Sequence, residues 1–71
     1  MKTDFYGQVQ ELKAEIIGTI IKVIKSGVPV PYFRYIEKLD KLEVQHITLG
    51  WVDADSMTVG DLANLADEAL N

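Results

Sequence analysis

Cysteine is absent and histidine occurs once, as His46. The first absence excludes a disulfide framework, cysteine-ligated zinc and a cysteine nucleophile. The second excludes a metal site built from several histidines of one chain. Apolar runs are short. The richest stretch, Ile16 to Ile24, is interrupted by Gly18, Thr19 and Lys22, so nothing approaches the roughly 18 residues of a membrane span. Basic residues are missing after Lys41: up to that point seven basic and five acidic side chains give +2, and beyond it six acids stand alone, giving −6. Clustered lysine and arginine are what displace counterions from nucleic acid, and the second half has the opposite sign. Lys25, Arg34, Lys38 and Lys41 make a modest basic group whose expected role is a solvated surface. Neither nucleic acid nor membrane is expected as a partner. Met1-Lys2-Thr3-Asp4 leads into acidic and amide residues rather than an apolar core, so no secretory signal is expected and the cytoplasm is the expected compartment.

What the chain does have is 71 residues with 48% hydrophobic content, enough for one ordinary globular domain over 1–71. A domain of this size buries only about 60% of its unfolded surface. Small folds usually add a disulfide, a metal or a partner chain. With the first two closed off, good packing and self-association remain.

Residues 4–26 are predicted as a long helix. Thr3 or Asp4 suits its start. Phe5, Val9, Leu12, Ile16, Ile20 and Val23 recur at spacings of three and four and form one apolar stripe. Ile17, Ile21 and Ile24 add a second stripe beside it, and a helix apolar on two faces is covered on two sides. Ala14 and Gly18 lie four apart, where another backbone could approach closely. Ser26-Gly27 is a stop signal, because glycine accepts the left-handed conformation that closes helices. Val28-Pro29-Val30-Pro31 is a stiff extended linker. Tyr32 to Ile36 has strand-like residue types, though Tyr32, Tyr35, Ile36, Leu39 and Leu42 also fit a helical face. Leu42 to Val52 is rich in β-formers and is predicted as one strand, with Gly50 as its bulge or end. A strand needs a partner for its backbone groups, and Tyr32 to Ile36 is the available one. After the loop Asp53 to Ser56, Thr58 caps a final helix reaching about residue 70, with Asp61 three positions on. Val59, Leu62, Leu65, Ala66 and Ala69 form its apolar face, and Asp61, Asp67 and Glu68 point outward. The expected fold is therefore α+β: a long N-terminal helix, a two-stranded antiparallel hairpin and a C-terminal helix. The competing architecture is an all-α bundle of three helices.

Two short stretches resemble known modules. Asp53-Ala54-Asp55, followed by Asp61, resembles the calcium loops of EF-hand and dockerin modules, where carboxylates at alternate positions converge on one cation. The pattern lacks the turn glycine, and Asn64 stands where the closing glutamate belongs. A solvated loop with helix-capping acids is the expectation, and no metal site is assigned. Asp55-Ser56-Met57 before an acidic helix resembles the phosphopantetheine attachment motif of acyl carrier proteins, which implies a cofactor arm on Ser56. Carrier proteins continue through two further helices, whereas residues 57–71 are all that follow here. Ser56 is expected to serve the loop, and no cofactor is assigned.

Catalysis lacks a constellation. His46 has Val44 and Thr48 as strand-face neighbours, with no orienting carboxylate, and Ser26 and Ser56 lie in turns. The expectation is a small non-catalytic protein-interaction module that forms a homodimer. Its interface is expected to centre on Ala14, Ile17, Gly18, Ile21 and Ile24, with Trp51 as an aromatic anchor. The alternative is an acidic inhibitor or mimic that docks a basic protein through Asp61, Asp67 and Glu68. A calcium- or carrier-type module is the third expectation.

Overall fold

A computed structural model describes residues 5–71. The order of elements is helix α1 (Phe5–Lys25), strands β1 (Phe33–Ile36), β2 (Lys41–His46) and β3 (Gly50–Asp53), one 3-10 turn (Ala54–Ser56) and helix α2 (Val59–Leu70). The class is α+β, as the sequence predicts, and the all-α alternative falls away. The predicted caps at Thr3 and Asp4 lie outside the described residues.

α1 ends where the sequence says it should. Ser26 N–H donates to the Lys22 carbonyl at 3.1 Å and Gly27 N–H to that of Ile24 at 3.0 Å. Gly27 turns the chain away at φ +95°, which a side chain would oppose. Val28 to Val30 then run without regular structure to β1. β1 begins one residue later than expected, because Tyr32 adopts φ +70°. Its carbonyl still accepts the N–H of Gln45 at 2.9 Å and prolongs the pairing.

The sheet departs from the predicted hairpin. It has three antiparallel strands in the order β1-β2-β3. The stretch Leu42 to Val52, expected as one strand, folds back on itself at Ile47, Thr48 and Leu49. The physical reason is local. The Nδ1 of His46 accepts the backbone N–H groups of Thr48 at 3.2 Å and Leu49 at 3.3 Å, standing in for a sheet partner. Gly50 then re-enters the sheet at φ +77°. A run of good β-formers thus becomes two strands, because a side chain satisfies the turn's donors.

Register sets the faces. Phe33 pairs with Val44 and Val44 with Val52; Tyr35 pairs with Leu42. Paired residues share a face, and this one is the inner face. Arg34, Glu43 and Asp53 form a row on the other face. The core comprises Ile20 of α1, Val30, Phe33, Leu42, Val44, Ala54, and Leu62 and Ala66 of α2. Both helices therefore pack on the inner face. Ile20, Leu62 and Val44 are fully buried, and each such burial contributes about 1.5–3 kcal/mol. Ile17, Ile21 and Ile24 are partly buried and pack against the same cluster, so the second stripe of α1 is partly covered within the chain.

α2 forms as its sequence signals. The Thr58 hydroxyl accepts the N–H of Asp61 at 3.1 Å. Leu62 and Ala66 are buried, while Asp61, Asp67 and Glu68 are exposed.

Candidate interaction surface

α1 presents three different faces. The sheet-side face carries Ile17 and Ile21, which border a cleft of about 200 Å³ shared with Leu39, Leu42 and Ala54. The solvent face carries Ala14 and Gly18, both exposed. A Cβ added at Gly18 would meet no described heavy atom within 4 Å, so the room for close approach anticipated there exists. The third face turns toward α2 and borders a groove of about 530 Å³. The residues expected to form one interface are thus separated: Ala14 and Gly18 face outward, Ile17, Ile21 and Ile24 face inward. Trp51 lies on the outer face of the sheet, with the Arg34 guanidinium 4.3 Å from its ring centroid. Arg34 also pairs with Glu43 at 2.7 Å.

The apolar stripe of α1 runs past its cover. Phe5 begins the stripe of Val9, Leu12, Ile16 and Ile20 and is 79% exposed, Leu12 is 50% exposed, and Tyr6 beside Phe5 is 72% exposed. Among the described residues, nothing buries the Phe5 and Tyr6 side chains. A second exposed apolar point is the β2–β3 turn, where Ile47 is 100% exposed and Leu49 72%. The ring that locks this turn, His46, borders a cleft of about 330 Å³ with Met57, Asp61 and Leu65.

The acidic loop is committed to its own structure. One carboxylate oxygen of Asp53 accepts the N–H of Asp55 at 2.9 Å, and the other pairs with Lys41 at 3.1 Å. The Asp55 N–H, with lesser help from Lys41 and Lys13, holds the Asp53 carboxyl below its ordinary value despite partial burial. The Ser56 hydroxyl donates to the Asp53 carbonyl at 2.6 Å, so it closes its own turn. Among the described residues no three His, Cys, Asp or Glu side chains gather as a cation would need. No described helix is long and apolar enough to cross a membrane.

Sequence reasoning passed over two features. Lys13 is 8% exposed, the one buried charged side chain among the described residues. Its spacing from Val9, Ile17 and Ile20 already places it within the apolar face, and that was the available signal. Glu11 and Glu15 also escaped notice. Glu15 borders the hollow between α1 and α2, and Glu11 borders a second hollow along α1 alone.

The sequence matches no family model, no curated protein and no solved structure.

Proposed function

We propose that this chain is a small protein-interaction module without a catalytic role, which pairs with a second copy of itself. The observation that carries the reading is the exposed continuation of the core stripe at Phe5, with Tyr6 exposed beside it. α1 spans about 32 Å at ~1.5 Å per residue, longer than the two shorter dimensions of the molecule, 29 and 27 Å. Two exposed aromatic side chains at the start of α1 lose little entropy on docking and offer much apolar area. A symmetric pair could cover both ends at once. With Ile17, Ile21 and Ile24 engaged in their own core, the pairing surface shifts to these first turns, and Ala14 and Gly18 remain as open surface on the opposite side.

A non-catalytic role is supported by how the groups suited to chemistry are used. His46 is a turn lock, and Ser56 and Asp53 shape a 3-10 turn. The cytoplasm is the proposed compartment, consistent with a cysteine-free chain.

Sedimentation of the unmodified protein at ~100 µM tests the reading, since a pair with a dissociation constant near ~1 µM is nearly complete there. A dimer that becomes a folded monomer in Phe5→Ser/Tyr6→Ser is the expected result. A folded monomer of the unmodified chain at that concentration overturns it.

A further inference from the structure

We infer that the trough between α1 and α2 receives a basic amphipathic helix from another protein. This rests on the reading of the chain as an interaction module and concerns the stretch of α1 that follows its aromatic end. Two hollows share Glu15: one of about 530 Å³ lies between α1 and α2, and one of about 460 Å³ is bordered by α1 alone, at Gln8, Glu11, Leu12 and Glu15. Together they follow α1 from Gln8 to Thr19, about 17 Å or three helical turns. The floor is apolar: Leu12 and Ile16 from α1, and Ala63, Ala66 and Leu70 from α2. The alanines keep it open, because their methyl groups leave the depth that a larger side chain would fill.

The rims are acidic. Glu11 and Glu15 stand along α1 and Asp67 along α2, all exposed. No lysine or arginine borders either hollow among the described residues. The two ion pairs among those residues, Arg34–Glu43 and Lys41–Asp53, lie elsewhere. A floor that wants apolar cover between rims that want cations fits one occupant: an apolar stripe flanked on both sides by lysine or arginine. A helix supplies this with its backbone already hydrogen-bonded. An extended segment would leave its N–H and C=O groups facing side chains that do not pair them.

A second copy fits the trough poorly. Two-fold packing of trough on trough would bring the acidic rims of one copy against those of the other, and like charges across an interface repel. Phosphate-bearing partners meet the same sign.

The test is a titration of the isotope-labelled protein, followed by amide NMR, with a synthetic 14-residue helix carrying leucines at positions i, i+3 and i+7 and lysines on both flanks. Its twin has glutamate in place of every lysine. Saturable shifts centred on Leu12, Ile16, Ala63 and Leu70 are expected from the basic peptide and none from the twin. Affinity should fall by about fivefold or more in Glu15→Gln/Asp67→Asn, and again between low and high salt. Glu11→Gln/Glu15→Gln provides a second variant if the first loses its spectral dispersion. Absence of saturation at ~1 mM peptide, a regime weaker than about −4 kcal/mol, overturns the inference. So do shifts outside the trough, or an affinity indifferent to both variants. Trough shifts that follow protein concentration without peptide would place a second copy there, and would overturn this inference while supporting the interaction module. Sedimentation reports separately on the aromatic end.

Discussion

The ammonium of Lys13, early in α1, donates to the backbone carbonyl of Asp55 in the 3-10 turn that precedes α2. The bond joins residues 42 positions apart and ties the N-terminal helix to the entry of the C-terminal one. Lys13 is also close enough to Asp53 to help hold its carboxylate ionised. One buried cation therefore steadies both the turn's carbonyl and its capping acid.

Lys13→Met keeps the apolar stem and removes the donor. The Asp55 carbonyl then loses its partner in a part-buried position. A loss of about 1–3 kcal/mol is expected, the usual cost of an unmade bond to a charged group. Urea unfolding of the two proteins measures it. An unchanged midpoint would show that Lys13 contributes only packing.

Asp53 links stability to acid pH. Its carboxyl is depressed below the ordinary 3.8, first by the Asp55 N–H and then by Lys41 and Lys13. A depressed carboxyl stabilises the fold fully above its unfolded pKa, and that stabilisation is lost as pH falls through the folded value. Stability should therefore decline from about pH 5 downward, and Asp53→Asn should flatten that decline. Thermal melts at stepped pH make the comparison. Equal slopes in the two proteins would remove Asp53 from the account.

Tyr35 links stability to alkaline pH with the opposite sign. Its hydroxyl donates to Asp40 at 2.5 Å. That bond, then burial and the charges of Asp40 and Glu37, push the phenol above its ordinary 10.0. A raised folded value favours the neutral form, so the contribution is complete below the unfolded pKa and fades as pH rises through the folded one. Ultraviolet titration should find the Tyr35 phenolate forming earlier in Asp40→Asn. No movement of that titration would assign the shift to surroundings other than Asp40.

His46→Ala should loosen the β2–β3 turn while leaving β1 paired to β2. Two backbone N–H groups, of Thr48 and Leu49, lose their acceptor, at an expected cost of about 1 kcal/mol. Faster amide exchange at Thr48 and Leu49, with Phe33 and Leu42 unaffected, is the expected pattern. Uniform change across the sheet would mean that the ring supports more than its turn.

Thr58→Ala removes the cap of α2. The Asp61 N–H loses its hydroxyl acceptor, and about 1 kcal/mol of stability should go with it. Thr58→Ser should restore most of this. If the serine variant melts with the alanine one, the threonine methyl rather than the cap matters there.

Sequence alone determined the parts of this protein that obey local rules. Ser26-Gly27 ends α1 because only a residue tolerant of positive φ closes a helix that way. Thr58 starts α2 because its hydroxyl reaches the N–H three residues on. The spacing of Leu62 and Ala66 against Asp61, Asp67 and Glu68 decides which side of α2 meets the core. The α+β class followed from such signals. Only the tertiary structure decided the rest, because it depends on what lies opposite in space. Ile47, Thr48 and Leu49 lie in a run rich in strand formers, and they turn where the His46 ring accepts the N–H groups of Thr48 and Leu49. Ile17, Ile21 and Ile24 present an apolar stripe that a second chain or the chain's own sheet could equally cover, and the chain's own core partly covers it. Phe5 belongs to the same apolar stripe as Ile20, yet among the described residues Ile20 is fully buried and Phe5 is exposed. Glu15 and Asp67 come to border one hollow only when α1 and α2 lie side by side, since residues distant in the chain combine into a charged surface through packing alone.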